Sequence, residues 1–72
     1  MIRIPVDMNW REDRQTIVIP PRSISENELE VGKRVILHEP GVECEAILRH
    51  GTQWPWVADI VEGTIKEVPA DE

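Results

Sequence analysis

The chain has no phenylalanine, no tyrosine and a single cysteine, Cys44, among its 72 residues. One cysteine excludes an intrachain disulfide, so a domain this short draws its stability from packing or from a partner. Paired metal-ligand spacings such as C-x-x-C and H-x-x-x-H are absent, and so is any glycine-rich loop that could cradle a phosphate. No metal and no cofactor is therefore expected. No apolar stretch approaches the roughly 20 residues needed to cross a bilayer. The opening Met1-Ile2-Arg3-Ile4-Pro5 runs into Asp7 instead of an apolar leader core. With one cysteine and no leader, a reducing cytoplasm is the expected location, and no membrane is expected as a partner.

What is present is aliphatic and acidic. Hydrophobic residues make up 40% of the chain and charged residues 31%, which suits a folded domain rather than a disordered one. Isoleucine and valine dominate the apolar set, and β-branched side chains favour sheet over helix. Aromatic bulk rests on Trp10, Trp54 and Trp56 alone. The net charge of −6 is unevenly placed. Residues 1–22 hold Arg3, Arg11, Arg14 and Arg22 against three acids, whereas residues 23–72 hold four cations against eleven acids. An acidic body repels phosphate backbones and disfavours nucleic acid as a partner.

Residues 2–6 alternate Ile2, Ile4 and Val6 with Arg3 and Pro5, the period-2 pattern of a half-buried strand, and Pro5 suits an edge. Residues 7–15 are polar apart from Met8 and Trp10 and read as a loop. Thr16–Ile19, closed by Pro20-Pro21, reads as a second strand antiparallel to the first, so residues 1–22 form an N-terminal hairpin. Ser25 and Glu28 have capping-box spacing and predict at most one helical turn. Strands follow over 34–38, 42–48, 56–61 and 64–68. Pro40-Gly41 supplies the turn between the first two of these. In the second, Val42, Cys44, Ala46 and Leu48 point inward while Glu43 and Glu45 face water. Residues 69–72 form an acidic tail that is expected to fray.

The segment Leu29-Glu30-Val31-Gly32-Lys33-Arg34-Val35-Ile36-Leu37 carries a hydrophobic-x-x-Gly-x-x-Val pattern at Leu29, Gly32 and Val35. It resembles the opening strand of SH3-like small barrels of the Tudor and KOW type. Trp56-x-Ala58-x-Ile60 and Gly63-Thr64-Ile65 are similar to the middle and closing strands of such barrels. The chain as a whole also resembles short bacterial proteins. The resemblance implies an all-β fold: a small SH3-like barrel of five to six short antiparallel strands. Residues 29–68 would be the barrel core, with the N-terminal hairpin added to it. The aromatic cage of the binding families has no counterpart here, because phenylalanine and tyrosine are missing.

Three chemistries can be weighed against plain structure. His38, Cys44 and His50 fall on or near one hairpin, but three ligands without paired spacing do not make structural zinc, and Cys44 is expected in the core. A nucleophilic thiol needs an electropositive setting, whereas Cys44 stands between Glu43 and Glu45. Glu43 and Glu45 as a catalytic pair would need contrasting environments, and a solvated sheet face is the simpler reading. The tryptophans are the more distinctive feature. Trp54 and Trp56 have strand spacing and can share a face, with Trp56 expected in the core. Trp10 either folds back over the barrel end as core cover, the reading slightly favoured, or stays exposed beside Arg11 and Arg14, a composition found at interfaces. The sequence therefore predicts a non-enzymatic protein-interaction or accessory module, with a protein partner or a second copy contacted through Trp10, Arg11, Arg14 and Trp54. The alternative is a nucleic-acid-binding barrel that uses the same aromatics and arginines.

Overall fold

A computed structural model describes residues 1–69, so residues 70–72 of the expected tail lie outside the described residues. Along the chain come β1 (Arg3–Pro5), β2 (Arg11–Asp13), β3 (Thr16–Val18), a 3-10 turn (Glu26–Glu28), β4 (Arg34–Glu39), β5 (Val42–Arg49), β6 (Val57–Ile60) and β7 (Lys66–Glu67). The fold is all-β, with seven strands among the described residues instead of the five or six expected.

The β4–β5 hairpin forms where the alternation was clearest. Glu39 pairs with Val42 across the two-residue turn Pro40-Gly41. Proline fixes the second turn residue near −65°, and Gly41 takes a φ of 92° at the third, where a side chain would be strained. That turn sets the register: Val35 faces Ala46 and Leu37 faces Cys44, all four buried.

The rest of the sheet grows outward from β5, in the order β1-β4-β5-β6-β3-β2. Residues 46–49 of β5 pair with β6, and its first two residues pair with β7. The order begins at β1 and ends at β2, so the sheet among the described residues is open rather than closed into a barrel.

The expected N-terminal hairpin over residues 1–22 is not made. β1 pairs instead with β4, and in parallel, with Ile4 opposite Leu37. β3 pairs antiparallel with β6, and its outer edge is taken by β2, which lies in a stretch that reads as loop. The alternation in residues 2–6 fixes which face is buried but not which neighbour the strand finds. A parallel partner gives Ile4 full burial between Leu37 and the core.

The 3-10 turn stands where one helical turn was expected, but the capping box does not form. Ser25 is the N-cap with no side-chain bond, and backbone groups close the turn from Glu28 N–H to the Ser25 carbonyl at 2.9 Å.

The main core gathers Ile4, Ile17, Val35, Leu37, Cys44, Ala46, Leu48 and Ala58 on one side of the sheet. Val18 and Val57 pair directly across β3 and β6, alternate with Ile17 and Ala58, and are also fully buried. The β3–β6 pair is thus covered on both faces.

Glu43 corrects a second expectation. It does not face water but is 8% exposed. Arg3 Nη2 from β1 lies 2.8 Å from one carboxylate oxygen and Lys66 Nζ from β7 lies 3.0 Å from the other. These contacts hold its pKa below the ordinary glutamate range, Lys66 contributing most and Arg3 next. Glu45 is half-buried and pairs with Arg34 at 2.6 Å.

The parallel placement of β1 has a direct test. Ile4→Ala should cost about 2–5 kcal/mol in urea unfolding, as Leu37→Ala should, because both remove fully buried side chains from one contact. A cost below about 1 kcal/mol for Ile4→Ala alone would place β1 outside the core.

Candidate functional site

The second covered face of the β3–β6 pair is built by the loop between β5 and β6, and one carboxylate holds that loop down. Glu12 Oε1 accepts from Thr52 N–H at 2.7 Å, Thr52 Oγ1 at 2.9 Å and Gln53 N–H at 3.0 Å. The Glu12 side chain is only 9% exposed, and Arg49 Nη1 stands 3.8 Å from its other oxygen. The Gln53 N–H is the leading cause of a Glu12 pKa below the ordinary range, with burial opposing it. Gly51 makes the close approach possible. A Cβ there would collide with the Trp54 carbonyl and sit 2.8 Å from Val57 Cγ1 and 3.0 Å from Glu12 Oε1.

Arg49 extends the network across the sheet. Its Nε donates to Asp59 Oδ2 at 2.7 Å, and Thr16 Oγ1 donates to Asp59 Oδ1 at 2.6 Å. The Asp59 pKa is lowered chiefly by Arg49, and the Arg49 pKa is raised chiefly by Asp59. This network explains why Thr16, a polar residue, is 2% exposed without an unpartnered oxygen.

With the loop held, Trp54 meets Trp10 edge to face, ring centroids 4.9 Å apart and planes at 87°. This is a favoured geometry for two aromatic quadrupoles. Trp10 reaches that position because Trp10 N–H bonds the Asp7 carbonyl and its own carbonyl accepts from Val18 N–H, both at 2.9 Å. Trp56 packs against the core and against the His50 ring, with centroids 4.4 Å apart. Between this loop, the Pro20–Arg22 turn and the 3-10 segment runs an apolar groove of about 310 Å³. Its walls include Pro20, Ile24, Leu29, Trp54, Pro55 and Trp56, and its two charged lining residues are Arg22 and Glu26.

The residues singled out in the sequence are thus partly assembled. Trp10 and Trp54 come together, both half-buried. Trp56, expected in the core, is half-buried and also lines the groove. Arg11 and Arg14 are exposed and lie outside the groove lining. The Arg11 guanidinium is turned onto the Met8 and Arg14 carbonyls, where it closes its own loop. Glu12, Gly51 and Arg22 were missed. Glu12 acts on Thr52 and Gln53, some 40 residues on, and Gly51 meets the Trp54 carbonyl and Val57 only once the loop is folded, so no local pattern signals either.

The three possible metal ligands are scattered. Cys44 faces Leu37 in the core, His38 faces Glu43 on the opposite side of the hairpin, and His50 lies against Trp56 with the ring planes tilted at 44°. Burial pushes the Cys44 thiol pKa up, and Glu43 adds to it less. Among the described residues no helix is long and apolar enough to cross a membrane. No protein-family model, curated protein or solved structure matches the chain.

Gly51→Ala should destabilise the protein by about 1–3 kcal/mol in urea unfolding and detach Trp54 from Trp10, because the added methyl meets backbone rather than a yielding side-chain tip. Loss of the Trp10–Trp54 contact reads out as a change in near-ultraviolet circular dichroism. The acid response follows from the carboxylates. Glu12, Glu43 and Asp59 all have folded-state pKa values below their unfolded ones. Their stabilisation is therefore complete above the ordinary carboxylate range and is lost as pH falls through the folded values, below about pH 4. A thermal midpoint that stays flat from pH 6 down to pH 3 would contradict this.

Proposed function

We propose that the protein is a non-enzymatic interaction module of the cytoplasm, an SH3-like small barrel left open between β1 and β2, and that a protein partner docks in the groove beside Trp54. The observation that carries this reading is the groove itself. It is apolar, faces solvent, and is walled by two tryptophans fixed in place before any partner arrives. Tryptophans in a preformed apolar recess are the usual anchors of binding energy. Preorganisation also spares the partner the entropic cost of ordering the loop.

Catalysis draws little support from the same geometry. The groove's two titratable lining groups are Arg22 and Glu26. Elsewhere Glu12, Glu43 and Asp59 are tied to donors that keep them ionised and inert. The nucleic-acid alternative is weakened by the fate of the cations. Of eight lysines and arginines, Arg3, Arg34, Arg49 and Lys66 are paired with carboxylates, and Arg11 is turned onto backbone carbonyls. Too few remain free to make a phosphate-binding track.

The test is capture of partners by the tagged full chain from its native cell at near-physiological salt. A specific protein should be recovered, Trp54→Ala should weaken its binding by about 30-fold or more, and Trp10→Ala should weaken it less, acting through Trp54. Recovery of nuclease-sensitive RNA or DNA, with binding that falls steeply as salt rises, would transfer the assignment to the nucleic-acid reading.

A further inference from the structure

Arg22 occupies a backbone position that does not suit it. It is the third residue of the turn Pro20-Pro21-Arg22-Ser23, which is closed by Ser23 N–H on the Pro20 carbonyl at 3.2 Å and by Ser23 Oγ on the same oxygen at 2.7 Å. Its φ is 68°, the one positive value at a non-glycine residue among the described residues. Proline at the second position and a positive φ at the third define a type II turn, and glycine or asparagine is the ordinary third residue. The chain obeys that rule at Pro40-Gly41, where Gly41 has a φ of 92°. At Pro21-Arg22 it does not, and the arginine Cβ is left crowded against the backbone.

The Ser23 bonds close the turn, but the Arg22 side chain itself adds nothing to it. The Arg22 side chain is exposed, and it makes no hydrogen bond or ion pair among the described residues, in contrast to Arg3, Arg34 and Arg49. It does line the apolar groove. Strain of this kind clusters at ligand clamps and active sites, and here its side chain serves no internal contact.

We propose that Arg22 is held at the groove to receive a carboxylate, so that the docked segment is a stretch of a partner protein with aliphatic residues beside one acidic residue. This rests on the reading of the groove as a docking site and adds the chemistry of its occupant. A guanidinium presents a planar fork that matches a carboxylate bidentately, and a docked segment that covers the groove removes water from that pair. Glu26 lines the same groove, so a run of acids is repelled and a single carboxylate is selected. The net charge of −6 gives an acidic segment no long-range attraction, so its recognition is confined to this local contact.

The experiment is selection of a random heptapeptide display library against the full chain, followed by titration of the selected peptides into wild type, Arg22→Asn and Trp54→Ala. Asparagine tolerates a positive φ, so Arg22→Asn removes the charge without harming the turn, and its thermal midpoint should equal or exceed that of wild type. Selected peptides should carry one aspartate or glutamate next to aliphatic residues. Arg22→Asn should weaken them about tenfold or more, and replacing the acid by its amide should do the same. Glu26→Gln should relax the selection toward peptides with two acids. Peptides without acids that are lost with Trp54→Ala but unaffected by Arg22→Asn would overturn the carboxylate inference and leave the groove standing. No enrichment, or peptides indifferent to Trp54→Ala, would overturn both.

Discussion

The Glu12 carboxylate is the contact on which the functional face depends. A loop of seven residues between β5 and β6 has backbone donors with no strand to receive them. Glu12 receives two of those N–H groups and a hydroxyl on one oxygen. That single acceptor brings Gly51 close over Val57, gives the β3–β6 pair its second cover, and sets the Trp54 ring against Trp10. A neutral side chain of the same shape could accept, but ionised acceptors make the stronger hydrogen bonds. The strand β2 that carries Glu12 is itself only three residues long. Strand and loop therefore stabilise one another, since β2 has β3 on one side and the loop contacts through its side chain.

The same device recurs at the opposite end of the sheet. Glu43 takes Arg3 from β1 on one oxygen and Lys66 from β7 on the other, and so ties a short first strand and a short last strand to the central hairpin. In a chain with 14 acids and 8 lysines and arginines, such clasps use up much of the positive charge. An isolated exposed ion pair contributes little, but these are multi-partner contacts to carboxylates about 90% covered, which fix geometry as much as they add stability. The charge left over is as informative as the charge consumed. Arg14 and Arg22 are the arginines whose side chains have no partner among the described residues, and of the two Arg22 lines the groove.

The central strands were legible because their signals are local. Alternation over 42–48 gave the buried face of β5 at Cys44, Ala46 and Leu48, and Pro40-Gly41 gave the turn. The all-β class followed from β-branched content and strand spacing. What escaped was pairing between distant segments. Residues 2–6 state that Ile4 is buried, yet the pattern is identical whether the neighbour is β3 or β4. A local hairpin costs less chain entropy to close, which favours the wrong answer. Glu43 escaped for a related reason: alternation placed it correctly off the core face, but that face is itself flanked by Arg3 and Lys66. At the site, the tryptophans were visible as composition, whereas Glu12 and Gly51 matter only through contacts that the folded chain creates.

The two proline turns show how sequence conflict can be informative once a structure is present. Both have proline at the second position and a positive φ at the third, but one has glycine at that third position and the other arginine. Natural chains are locally consistent over most of their length, so a residue that opposes its own backbone stands out against that background. Gly41 sits in a hairpin whose task is to join two strands, and there the local rule is kept. Arg22 sits where the turn forms one wall of an apolar recess, and there the rule is broken by a long cation. Glycine would fit the turn better but would present nothing to the groove, so a need for that side chain is what reconciles the residue with its backbone.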